Sequence, residues 1–316
     1  MGESNFIEIA SLNRYIGVNN LKSFFFLLYN ISSQGQKTVT LHRVLYYTPF
    51  MRKIMFSVCS MMLMGCDSLF DYHPYDTRFD GETNINKGNI ARIETSCRDN
   101  DTLHVAFISD THNNYSDLAD MVRDINSRDS IDFVVHLGDL SDTGTTKEFV
   151  WTRDELSHLR PPYVVLIGNH DFLGTGEEVY NAMFGDFDFS FIAGRIKFLC
   201  LNTNATEYDY IAAVPNFDFM EEHFTADSML YDRTVVCMHA RPYSDQFNNN
   251  VAKSFEYYVW QMKSTLFCIN GHDHSQNADD IYGDGMTYYG VDAAYHRNYM
   301  LFTFTPYGYS HEIVSF

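Results

Sequence analysis

Histidines, carboxylates and one asparagine recur just after apolar stretches of this 316-residue chain. "SDTH" carries Asp110 and His112, "GDLSD" carries Asp139 and Asp142, and "GNHD" carries Asn169, His170 and Asp171. Further on, "MHA" carries His239 and "GHDH" carries His272 and His274. Imidazole nitrogens with carboxylate and amide oxygens form a borderline donor set. Such a set suits Mn, Fe, Zn or Co rather than Ca, and it lacks the thiolates of a structural zinc site. Seven candidate ligands are too many for one tetrahedral ion; with a shared carboxylate they suit two ions a few ångströms apart.

These residues need elements that bring them together. "LHVAFIS" (103–109), "IDFVVHLG" (131–138) and "YVVLIG" (163–168) have the apolar, β-branched content of strands. Between them, 115–126 and 147–159 have helical spacing, and the alternation argues for βαβ units. Residues 187–202 predict a hairpin turning at Ala193-Gly194, and 217–229 a helix. "RTVVCMHA" and "STLFCING" are further strands, and the tail from Tyr299 reads as two strands around a Pro-Tyr-Gly turn. A short helix is expected over 88–97. The polar motifs sit where strands end, and ligand-binding groups gather at the carboxyl ends of strands in open α/β sheets. Glycines before Asp139, Asn169 and His272 permit tight turns and close backbone approach.

The order D-x-H, GD, GNHD, H, GHxH resembles the calcineurin-like metallophosphoesterases, with motifs spanning 108–274 and a domain over 101–316. The resemblance implies a four-layer αββα sandwich of two mixed β-sheets with a dinuclear metal site at strand carboxyl ends. It implies one ion on Asp110, His112 and His274, a second on Asn169, His239 and His272, and Asp139 bridging. His170 is then a catalytic group facing the substrate phosphate, and Asp142 matches an acidic position that orients that histidine in some members. The implied activity is hydrolysis of phosphomonoesters or phosphodiesters, with a hydroxide between two ions (Mn, Fe, Zn or Co) attacking phosphorus in line. The alternative is a non-catalytic envelope lipoprotein using the fold as a binding scaffold; the complete ligand set favours the enzyme.

Departures narrow the reading. Protein serine/threonine phosphatases resemble GDxxDRG and RGNHE, whereas here Thr143 follows Asp142, Ile167 precedes Gly168 and Asp171 replaces the glutamate. A purple acid phosphatase places a tyrosine ligand after its GD motif; this chain has Ser141 and Asp142 there. Arg241 is a candidate substrate-phosphate ligand, with a rim salt bridge as its plain alternative. Asp142 and Asp171 also read as turn holders, and His136, inside an apolar strand, as structural.

Lys plus Arg number 22 against 41 Asp plus Glu, a formal charge of −19. That balance argues against a sequence-independent nucleic-acid binder; a small phosphate ester is the expected partner. The six cysteines include no CxxC. Cys200, Cys237 and Cys268 lie in apolar runs and read as buried strand residues.

Residues 51–66, "MRKIMFSVCSMMLMGC", join a basic start, an apolar stretch too short to span a bilayer and a Gly-Cys end. The stretch resembles a lipoprotein-type signal peptide over 51–65 with Cys66 as the lipidated residue. Residues 66–100 then form a tether and short helix, and 1–50 an extension not expected in the native protein. The expected location is the cell envelope, lipid-anchored outside the cytoplasm. Replacing Cys66 with Ala should abolish membrane association and leave hydrolysis intact; a variant still in the membrane fraction would contradict the lipobox reading.

Overall fold

The computed structural model describes residues 73, 75–208 and 213–316, so residues 1–50, the signal-peptide stretch and Cys66 lie outside it. In chain order the elements are α1 (Ile85–Ser96), β1 (Leu103–Ile108), α2 (Tyr115–Ser127), β2 (Phe133–His136), α3 (Thr146–Leu156), β3 (Tyr163–Val165) and α4 (Gly176–Met183). They continue with β4 (Phe189–Ala193), β5 (Ile196–Leu201), α5 (Ala205–Tyr208), α6 (Phe217–Glu222), β6 (Arg233–Met238), α7 (Ala252–Gln261) and β7 (Thr265–Asn270). β8 (Asn277–Asp279), β9 (Tyr288–Gly290), β10 (Asn298–Thr305) and β11 (Gly308–Ser315) close the chain. No described helix is long and apolar enough to cross a membrane.

Two mixed sheets result. One has the order β11-β10-β1-β2-β3 and the other β4-β5-β6-β7-β9-β8. β1, β2 and β3 run parallel, with β10 antiparallel to β1. In the second sheet β5, β6, β7 and β9 run parallel, and β4 and β8 are antiparallel edges. Strand periodicity sorts the core. On β1, Val105 and Phe107 face the other sheet and pack with Phe133, Phe198, Val235, Phe267 and Phe302, while Ala106 and Ile108 face α2 and α3. Leu199, Val236 and Cys268 face outward onto Phe255 and Val259 of α7. Phe267 of one sheet stacks on Phe302 of the other with centroids 4.7 Å apart. The layers are helix, sheet, sheet, helix, as the resemblance implied, and Cys200, Cys237 and Cys268 are buried and free.

Several boundaries differ from the expectations. The 217–229 helix stops at Glu222, and Asp227 sits at φ 57, which a continuing helix does not allow. The 147–159 helix stops at Leu156. The β4–β5 turn is Gly194-Arg195, one residue later than expected, because Ala193 pairs with Ile196 and Gly194 takes the left-handed conformation at φ 55. The first helix starts earlier, at Ile85.

His136 shows how the strand ends are tied. It is fully buried; its Nδ1 accepts the Gly138 N–H at 3.2 Å, which leaves Nε2–H to donate to Thr111 Oγ1 at 2.8 Å. The bond at Nδ1 needs the neutral ring, because a protonated ring has no acceptor there, and burial depresses its pKa to about 4. The unfolded chain takes up that proton below its ordinary pKa of about 6.5, so this contribution is complete above that pH and is lost as pH falls towards 4. At about 1.4 kcal/mol per unit, the loss is about 3 kcal/mol. Chemical unfolding of metal-free protein between pH 7 and 4 should show a shallower pH dependence in His136→Gln than in the parent; identical slopes would contradict this assignment.

Candidate metal centre

Five of the seven candidate ligands follow their strands in an unusual backbone conformation: Asp110 (φ 51), His112 (φ 47), Asp139 (φ 56), His272 (φ 67) and His274 (φ 47) occupy the left-handed region, whereas Asn169 is right-handed at φ −70. Left-handed conformations cost about 1–3 kcal/mol each and persist only where the surroundings impose them. Gly168 allows a close approach: a Cβ there would lie 2.1 Å from the Asp139 nitrogen and 2.2 Å from Asp139 Oδ1. Gly138, at φ 108, would meet His239 Nδ1 at 2.7 Å.

The result is two groups of donor atoms sharing one oxygen. Asp110 Oδ1 lies 3.1 Å from His274 Nε2 and 3.9 Å from His112 Nε2, and the two Nε2 atoms are 3.3 Å apart. On the other side, Asn169 Oδ1 lies 3.0 Å from both His239 Nε2 and His272 Nδ1. Asp139 Oδ2 faces both groups, 3.7 Å from His112 Nε2 and 3.3 Å from His239 Nε2. The second oxygen of each carboxylate is fixed by backbone: His272 N–H donates to Asp110 Oδ2 at 3.1 Å, and His170 N–H donates to Asp139 Oδ1 at 2.9 Å.

This arrangement fits cations. Asp110 Oδ1 is buried without a hydrogen-bond partner. His239 Nδ1 donates to the Leu137 carbonyl at 2.8 Å and His272 Nε2 donates to Asp245 Oδ1 at 2.7 Å, so the inward atom of each neutral ring is a lone pair. Lone pairs and carboxylate oxygens at such separations repel unless a cation or proton lies between them. The titration shifts express that need. Burial opposes a charged His239, yet Asp139 and Asp110 outweigh it and push it up to about 9. Asp110 beside His274 raises its pKa too. Burial likewise opposes the charge on Asp110, but His274 and His239 hold its carboxyl below the usual range. Burial lowers His112.

Around the centre, the sequence reading needs one correction. His170 Nδ1 donates to the main-chain carbonyl of Asp142 at 2.8 Å; the Asp142 carboxylate is 3.9 Å from that nitrogen and nearer, at 3.5 Å, to His112 Nδ1. The backbone orients His170, because the turn after β2 is fixed by Glu148. Its Oε2 accepts from Thr143 and Thr145, and it completes the capping box of α3. Asp171 ties the same turn to β3. It accepts from Ser141 N and Oγ at 2.9 and 2.8 Å, from Gly168 N at 2.9 Å and from Leu140 N at 3.2 Å. Burial and Asp139 push its carboxyl up to about 7 against these donors. Arg241 Nε donates to Asp273 Oδ2 at 2.5 Å, which pins the guanidinium beside the GHDH turn.

Two neighbours carry no motif signal. Asp245, on the loop after β6, holds His272, and that imidazole lowers the Asp245 carboxyl. Tyr295 places its hydroxyl 3.3 Å from His274 Nδ1. Only the folded register brings them in, since neither has a fixed spacing to its histidine.

A family model described as calcineurin-like phosphoesterase matches residues 103–276. Among solved structures, a dimetal phosphatase from Danio rerio is similar with a TM-score of 0.51 at 11% identity, covering 67% of this chain and 98% of that one. A purple acid phosphatase from yellow lupin seeds is similar at TM-score 0.48 and 14% identity, over 68% of this chain and 54% of that one. The first shares the fold. No curated protein matches the chain. If the close approach at Gly168 sets the position of Asp139, Gly168→Ala should keep its circular dichroism but lose high-affinity metal uptake; parent-like uptake would contradict it.

Proposed function

Because the chain belongs to the calcineurin-like phosphoesterases, which are metal-dependent phosphoric ester hydrolases, we propose that the Asp139 cluster is its active centre and cleaves small phosphomonoesters or phosphodiesters by in-line attack of water. The observation that carries this reading is the single oxygen, Asp139 Oδ2, facing donors from both sheets. Asp110, His112 and His274 would hold one ion and Asn169, His239 and His272 the other, with Asp139 between them. Two such ions (Mn, Fe, Zn or Co) lower the pKa of water from about 15.7 towards about 7 and draw charge from the phosphoryl oxygens.

The chain's own residues do the rest. The backbone N–H groups of His170 and His272 hold the outer carboxylate oxygens, so the inner ones stay aimed at the centre. The Asp142 carbonyl fixes the His170 ring through Nδ1, and Nε2 takes no part in that bond. Protonated, His170 carries at Nε2 a proton for the departing oxygen. Asn169 contributes an oxygen without charge, which keeps the centre attractive to an anion. Arg241 stands beside the GHDH turn as a candidate contact for substrate phosphate, its orientation set by Asp273. The n-h-Cys order of residues 51–66 supports a lipid-anchored enzyme acting on envelope or environmental phosphate esters.

Metal analysis and hydrolysis of p-nitrophenyl phosphate and its bis-ester test the reading. The parent should carry two ions and turn over at least one ester, and Asp139→Asn should lose both properties. A metal-free parent, or equal rates in the two proteins, would end the hypothesis. His170→Ala should slow an alkyl ester by about 10²–10⁴-fold while sparing p-nitrophenyl release, which needs no proton donor. Equal losses on both esters would remove His170 from that role.

A further inference from the structure

The two donor groups differ in their carboxylates. Asp110 belongs to one of them, whereas Asn169, His239 and His272 bring no carboxylate of their own and share only Asp139. Beyond this second group, Asp245 Oδ1 accepts from His272 Nε2 at 2.7 Å, while Nδ1 of the same ring faces Asn169 Oδ1 at 3.0 Å. A neutral imidazole has one N–H, and this contact assigns it to Nε2, leaving the lone pair on the inward Nδ1.

The outer partners of the other ligand histidines are weaker. His239 has a carbonyl, His274 a phenol at 3.3 Å, and His112 a carboxylate at 3.5 Å, outside hydrogen-bond geometry. Among the described residues, Asp245 is the carboxylate hydrogen-bonded to the outer nitrogen of a ligand histidine. Its loop is built to keep it there. Thr206 Oγ1 donates to the Asp245 carbonyl at 3.1 Å, and Ala205 N–H donates to the Gln246 carbonyl at 2.9 Å. Asn249 accepts from Tyr243 N at 2.7 Å and donates to the Ser244 carbonyl at 2.8 Å. The backbone is thus fixed on both sides of a carboxylate that is otherwise on the surface.

We propose that Asp245 is a positioning residue, fixing the His272 tautomer and lending the Asn169 side of the centre the negative charge its own ligands lack. Carboxylate acceptors raise the basicity of a ligating imidazole. The inference rests on the reading that the cluster binds two ions.

Calorimetric titration of metal-free protein with Mn²⁺ alone tests it. Asp245→Ala removes charge and acceptor, Asp245→Asn keeps an acceptor oxygen, Asp245→Glu restores both, and Asp279→Asn, on exposed β8, controls for net charge. Asp245→Ala should weaken one of two ions by about 10–100-fold and leave the other within about twofold. Asp245→Asn should fall between, Asp245→Glu should recover, and Asp279→Asn should match the parent. Nitrogen-15 NMR should find the Nε2–H tautomer of His272 in the parent and a mixture in Asp245→Ala. A parent-like Asp245→Ala titration, equal weakening of both ions, or the same loss in Asp279→Asn would overturn the inference alone. A parent that takes up no ion would remove the proposed function, and this inference with it.

Discussion

One oxygen atom, Asp139 Oδ2, must face imidazoles carried by both sheets, and much of the structure follows from that requirement. β1 delivers Asp110 and His112, β2 delivers Asp139, β3 delivers Asn169, β6 delivers His239 and β7 delivers His272, so five strands must end at one place. The parallel β1-β2-β3 and β5-β6-β7 runs bring their carboxyl ends together, and the aromatic layer between the sheets, with Phe267 against Phe302, sets the relation of one sheet to the other. The left-handed residues at the strand ends and the contact at Gly168 are local costs of that convergence.

The same requirement explains the electrostatics. Carboxylates and inward lone pairs accumulate where water is excluded, and such a cluster is stable only when something positive enters it. Protons serve when no cation is bound, which is why His239 is pushed up to about 9 despite its burial. Metal ions do so in a form that also acidifies water. The acidic chain as a whole does not conflict with an anionic substrate, because the charge that matters for binding lies within the centre.

Much of the site was legible because metal chemistry limits residue type, and the turns that present ligands limit spacing. Asp110 and His112 are separated by one residue, as are His272 and His274, and these pairs reach one centre because a tight turn follows each strand. The strand cores were legible from apolar content, and the hairpins from Gly194 and Pro306. What escaped depends on tertiary register. α4 and α7 were not expected, and the 217–229 pattern overran its stop at Asp227. For Asp142, the motif suggested a carboxylate acting on His170, whereas the backbone carbonyl makes that bond; a sequence shows side chains and hides which main-chain atom a turn presents. Asp245 and Tyr295 reach the centre through loops with no fixed spacing to their histidines.

The central claim is that Asp139 stands between two ions. The most direct measurement is a crystal structure of Mn²⁺-loaded protein with anomalous scattering recorded at the manganese edge. The account predicts two peaks about 3.5–4 Å apart, flanking Asp139 Oδ2, with Asp110, His112 and His274 around one and Asn169, His239 and His272 around the other. A single peak, or two peaks that do not share Asp139, would contradict it.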